Sequence, residues 1–109
     1  MSGAAQGIGG ALFEELPYDA QGQLLAGSLA DYIMPTACEI PSMHLIHQHS
    51  PSPLNPLGVK GVGEGGAISP PVAIANAVCD ALRPLQVELN RLPLKPSQIR
   101  EAIAAASRS

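Results

Sequence analysis

Tryptophan is absent, phenylalanine occurs once (Phe13) and tyrosine twice (Tyr18, Tyr32) in 109 residues. Aromatic rings contribute most to a small core, and a chain of this length buries only a modest share of its surface. Apolar residues make up 46% of the sequence, but much of that fraction is alanine. The expectation is a chain that packs against a larger body. Positive charge is also scarce: six Lys and Arg against nine Asp and Glu give a net charge of −3. That leaves no basic footprint for nucleic acid. The two cysteines, Cys38 and Cys79, have no metal-site spacing and do not make a disulfide framework. No apolar run approaches the roughly 20 residues of a membrane span, and no basic stretch leading into an apolar run opens the chain. A reducing cytoplasm, with protein or small-molecule partners, is the compartment these absences predict.

Glycine and proline are plentiful, eleven of each, and they punctuate the chain. Over residues 4–16, Ala4, Ile8, Ala11, Leu12 and Leu16 recur at helical spacing, with Glu14 and Glu15 opposite and Pro17 as a stop. Gly7, Gly9 and Gly10 inside that helix each cost about 1 kcal/mol relative to alanine. Either a tightly packed helix or a ligand approaches there. Residues 18–25 read as a hairpin or turn around Gly22. Residues 29–34 and 43–49 read as strands bounded by Pro35, Pro41 and Pro51, and residues 87–94 as a short strand interrupted by Pro93. Three prolines in residues 50–56 make a rigid lead. Ser69-Pro70-Pro71 predicts a helix start, a hydroxyl cap followed by proline, with Val72, Ala75, Val78, Cys79 and Leu82 on one stripe before Pro84. A last helix begins near Pro96 or Ser97, with Ile99 and Ile103 inward. The fold class is α+β, helices covering a small, incomplete mixed sheet.

The chemistry concentrates in Gly58-Val59-Lys60-Gly61-Val62-Gly63-Glu64-Gly65-Gly66, one carboxylate in a run of glycines. Part of it matches the dinucleotide pattern G-x-G-x-x-G, but that pattern needs a buried strand feeding the turn. Here the feeder is Pro51-Ser52-Pro53-Leu54-Asn55-Pro56, which does not serve as a central strand. A phosphate-binding P-loop is excluded because no Gly-Lys-Ser/Thr follows. Glu64 is either a solvated loop carboxylate or a general base; enclosure in a pocket would raise its pKa towards neutrality, where a base works best. Lys60 either pairs with an anion or stands on the surface. His44, His47 and His49 suggest a metal, yet Glu39 is the only nearby acid and no tetrahedral set is complete. They read as surface or packing histidines. Ser28, Ser50, Ser52 and Ser69 lack the strand-elbow-helix setting of a nucleophile.

Three ordered segments resemble a known family. They are Gly3-Ala4-Ala5-Gln6-Gly7-Ile8-Gly9-Gly10-Ala11-Leu12-Phe13-Glu14-Glu15, the run from Pro51 through Lys60-Gly61-Val62-Gly63-Glu64, and Pro70-Pro71-Val72-Ala73-Ile74-Ala75-Asn76-Ala77-Val78. Together they resemble the C-terminal part of the molybdenum-binding large subunit of the xanthine dehydrogenase family, which includes aldehyde oxidoreductases and aerobic carbon monoxide dehydrogenases. The resemblance implies that residues 1–109 are an incomplete, C-terminal portion of a molybdopterin-binding domain. It implies that Glu64 is the catalytic base, taking a proton from a molybdenum-bound hydroxide during oxidative hydroxylation of an aldehyde, an N-heterocycle or a related small substrate, with an adjusted role in CO oxidation. Gln6 then contacts the pterin, and Lys60, Gly61, Val62 and Gly63 line its dithiolene end. The glycines of both segments let two backbones close on that large anion, and the histidines fall on an ordinary strand. The implied cofactor is molybdopterin with Mo, in the cytosine dinucleotide form usual for bacterial enzymes of this type. Iron–sulfur clusters and FAD are expected on partner chains, and the remainder of the molybdenum subunit is a further partner. Alone, the polypeptide is expected to be inactive. A non-catalytic assembly or interaction fragment of such an enzyme is the alternative.

Overall fold

The computed structural model describes residues 2–108. Three helices appear in chain order: α1 (Ser2–Leu12), α2 (Gly65–Leu82), which runs into a 3-10 turn (Arg83–Leu85), and α3 (Pro96–Ala106). All three lie near the expected places. Their boundaries differ for identifiable reasons. Helix α1 stops four residues short of Leu16 because the Ala11 carbonyl, which a continuing helix would offer to Glu15, instead accepts the Leu94 N–H at 2.7 Å. Helix α2 begins at Gly65 rather than after Ser69, so Pro70 and Pro71 lie inside it. Its opening turn is wound by i to i−3 bonds, Gly65 N–H to the Val62 carbonyl and Ala67 N–H to the Glu64 carbonyl. The two prolines withhold the N–H groups that would reach Gly66 and Ala67.

Helices α1 and α2 cross at glycine. A Cβ on Gly3 would lie 2.9 Å from the Gly66 Cα and carbonyl carbon, and one on Gly7 would lie 2.8 Å from Pro70 Cβ. The close approach inferred at Gly7 is therefore that of α2, and Gly3 makes the same contact one turn earlier. Gly9 faces Glu14 and Pro35, whereas a Cβ on Gly10 would meet nothing within 4 Å.

The expected mixed sheet is absent among the described residues, where one isolated antiparallel bridge joins Tyr18 to Leu24. That bridge closes the expected hairpin. Asp19 Oδ1 accepts the N–H groups of Gln21 and Gln23 at 2.9 and 2.8 Å, and Gly22 takes φ +80°. Residues 29–34 and 43–49 form no ladder, because strand-like sequence becomes sheet only beside another strand. Residues 87–94 are held by side chain and helix instead: Leu89 N–H donates to Cys79 Sγ at 3.4 Å and the thiol donates to the Leu89 carbonyl at 3.3 Å. Lys95 pairs with Glu15 where this segment meets the end of α1.

The burial pattern agrees with a chain that lacks a core of its own. Among the described residues the buried apolar side chains are Ala11, Ala26, Val87, Pro93 and Leu94, while Leu54, Leu57 and Ile46 are 91, 85 and 84% exposed. The surface area is 8517 Å², against about 5,700 Å² for a folded monomer of this mass. The radius of gyration is 17.9 Å, against about 13 Å for a compact domain of this length. No described helix is long and apolar enough to cross a membrane.

Leucine is a far better helix former than glycine, yet Gly7→Leu should lower the denaturant midpoint of the helical circular dichroism signal by forcing α1 off Pro70. Gly10→Ala, into open space, should raise stability by up to about 1 kcal/mol.

Candidate functional site

Residues 51–63 enter α2 through a loop that holds its own shape. Asn55 clamps it: its Oδ1 accepts the Val59 N–H and its Nδ2 donates to the Val59 carbonyl, both at 3.0 Å. The Gly58 N–H donates to the Asn55 carbonyl, and the Ser52 N–H to the Gly58 carbonyl, again at 3.0 Å. Gly58 has φ +65°, a conformation that favours glycine, and a Cβ there would lie 2.8 Å from Pro51 Cβ. The prolines thus provide only part of the rigidity. Asn55 was not singled out in the sequence, although Asn-Pro marks a turn and an Asn side chain commonly bonds backbone a few residues on.

Beyond the clamp the backbone opens. Lys60, Gly61, Val62, Gly63 and Glu64 are all exposed, and none of their five N–H groups donates to an acceptor among the described residues. Such groups are ready donors for an anionic or acceptor-rich ligand. A Cβ on Gly61 or Gly63 would meet nothing within 4 Å, so these glycines face open space. Lys60 Nζ donates to Ser50 Oγ at 3.0 Å. Both line a shallow cavity of about 360 Å³ with Gln48, His49, Gly58 and Val62. His49 is therefore brought beside Lys60, a neighbour that the strand reading of the histidines did not anticipate.

Glu64 is the residue from which α2 springs, and its side chain makes no capping bond. Its carboxylate is exposed and unpartnered among the described residues. Gln6 is likewise exposed on α1. The Gly3 to Gly66 contact joins the two elements, with Gln6 three positions beyond Gly3 and Glu64 two positions before Gly66. Neither residue lines the cavity beside Lys60. A larger cavity of about 650 Å³ lies elsewhere, beside Asn76, Cys79, Asp80, Arg83 and Gln86.

Among the described residues no three potential metal ligands converge, the histidines included. The perturbed titrations lie away from the loop. The Tyr32 hydroxyl is held above its usual range by its hydrogen bond to Glu14. The Glu39 carboxyl is held below its range by the Thr36 hydroxyl and N–H, both 2.6 Å away. What the loop offers is a row of free amides and a cation ending in an available carboxylate.

Residues 1–41 match the molybdopterin cofactor-binding domain family. The chain is 45% identical over 97 residues to the nicotine 6-hydroxylase large subunit of Paenarthrobacter nicotinovorans, a match spanning 89% of this chain and 12% of that subunit. It is 37% identical over 100 residues to the putative xanthine dehydrogenase molybdenum-binding subunit of Escherichia coli K12, covering 91% of this chain and 13% of that protein. Quinoline 2-oxidoreductase from Pseudomonas putida 86 superposes with a TM-score of 0.89 at 44% identity, over 94% of this chain and 13% of the other. CO dehydrogenase from Oligotropha carboxidovorans gives the same TM-score at 30% identity, over 98% and 13%. The chain thus spans about an eighth of the length of the relatives it matches, and it belongs to the family of molybdopterin-binding large subunits that includes those of xanthine dehydrogenase, aldehyde oxidoreductase and carbon monoxide dehydrogenase.

Proposed function

We propose that the chain is one portion of a molybdenum hydroxylase large subunit, in which it contributes Glu64 as the base and part of the pterin cradle. The observation that carries this reading is the row of five unpaired amides at Lys60, Gly61, Val62, Gly63 and Glu64, beginning at a lysine and ending at the carboxylate. An acceptor-rich, anionic pterin fits that donor set. Lys60 adds a positive charge, and Gly61 and Gly63 leave the backbone face clear of side chains. Gln6, on the helix that crosses α2, adds an amide able to donate and accept.

Each residue then has a definite task. Lys60 to Gly63 bind and orient the cofactor through main-chain N–H groups, and the Asn55 clamp fixes where that strip begins. When bound, molybdopterin supplies the oxidation–reduction chemistry. Glu64 accepts a proton on a carboxylate oxygen as the small substrate, an aldehyde, an N-heterocycle or CO, is oxidised. Its carboxylate is open in this chain, so the enclosure that excludes water belongs to the rest of the subunit. Electrons leave through iron–sulfur and flavin centres on partner chains, the pterin carries a cytosine nucleotide, and the assembly works in the cytoplasm. A non-catalytic assembly role accounts for the exposed apolar surface, but it leaves the free amides and the adjoining carboxylate without a use.

In the assembled enzyme, Glu64→Gln should lower turnover by roughly 10²- to 10⁴-fold, the range for loss of a general base. Molybdenum content, measured by metal analysis, should stay unchanged. Retained wild-type turnover would remove the catalytic claim and favour the assembly role. Asn55→Ala, which unclamps the loop without touching Glu64, should reduce kcat roughly tenfold through misplacement of the strip. Steady-state kinetics normalised to molybdenum would measure it.

A further inference from the structure

Lys95 and Arg83 pair with the carboxylates of Glu15 and Asp80. Lys60 differs: its ammonium donates to a neutral hydroxyl, Ser50 Oγ, at 3.0 Å, and it forms no ion pair among the described residues. No carboxylate lies among the residues lining the cavity that it shares with Ser50. Its charge is held in place yet left uncompensated. A lysine ammonium carries more than one N–H donor, so donors remain for a further acceptor.

The hold is built into the loop. Residues 50–52 and 58–60 run side by side in opposite directions: Ser50 meets Lys60, the Ser52 N–H donates to the Gly58 carbonyl at 3.0 Å, and a Cβ on Gly58 would lie 2.8 Å from Pro51 Cβ. The Ser50 hydroxyl thus stands on backbone that the loop has already fixed. A lysine stem is otherwise free to take many rotamers, and fixing it at the moment of binding costs entropy. A hydroxyl that fixes it beforehand lowers that cost.

We infer that Ser50 is a positioning residue for Lys60, holding the ammonium at the start of the amide row, where an anionic group of the bound cofactor takes up its remaining donors. The inference rests on the proposed reading of the chain as part of a pterin cradle, and it adds to that cradle a residue outside the glycine-rich run. Ser50 acts only through Lys60. Without the hydroxyl the ammonium swings in water, and the cofactor has to order it on binding.

A double-mutant cycle in the assembled enzyme tests this, read as the rate at which molybdenum is lost on dialysis in mild denaturant, by metal analysis and without turnover. Ser50→Ala should speed the loss roughly fivefold, the worth of one hydrogen bond. Ser50→Thr, which keeps the hydroxyl, should restore the wild-type rate. Lys60→Met should speed the loss at least as much as Ser50→Ala, and combining the two should change nothing further. Both side chains are exposed, so neither substitution opens a core. An unchanged rate in Ser50→Ala, no rescue by Ser50→Thr, or additive effects of the two substitutions would overturn the inference, the last by giving Ser50 a task of its own in the loop. A wild-type enzyme without molybdenum would overturn both the inference and the reading beneath it. Coupled loss in the cycle together with full turnover in Glu64→Gln would leave the Ser50 assignment standing and remove the base.

Discussion

The contact between Gly3 and Gly66 is the constraint on which the arrangement depends. Two helices approach so closely there that a single methyl group would collide with backbone. Because α1 carries Gln6 and α2 springs from Glu64, this crossing fixes how the helix bearing Gln6 and the acidic turn are disposed. Glycine weakens a helix in isolation. In α1 it is spent on proximity.

The rest of the chain is organised around that pair without enclosing it. Leu94 returns to the end of α1, Cys79 holds Leu89 against α2, and Lys95 reaches Glu15. These are single ties. They hold the path of the backbone while large apolar side chains such as Leu54 and Leu57 remain in water. Area on this scale is what drives association, so the cohesion of these segments is shared with whatever covers them. The same division applies to the site, where the donors and the acid are present but their enclosure is not.

Helix periodicity and proline punctuation were legible in the sequence, and the three helices stand close to where they were expected. Ser69-Pro70-Pro71 misled because it has the composition of a cap, whereas i to i−3 bonds from Gly65 and Ala67 start the helix earlier. Strand-like alternation at residues 43–49 predicted a strand, but none forms there among the described residues, because a ladder is a property of two segments. The glycine-rich row was legible as an open run leading to one exposed carboxylate. The clamp at Asn55 was not, because its effect depends on a side chain folding back to Val59, which composition alone does not distinguish from an ordinary turn. The glycines of α1 were legible as a sign of close approach at Gly7 and Gly9, where protein atoms crowd in, but not at Gly10, which faces open space.

The prolines within α2 carry a mechanical consequence. With Pro70 and Pro71 lacking N–H groups, two rungs of the helix ladder are missing between its opening turn and its body. The Gly3 to Gly66 contact therefore carries part of the task of holding that turn, and with it the residue from which the helix starts, Glu64.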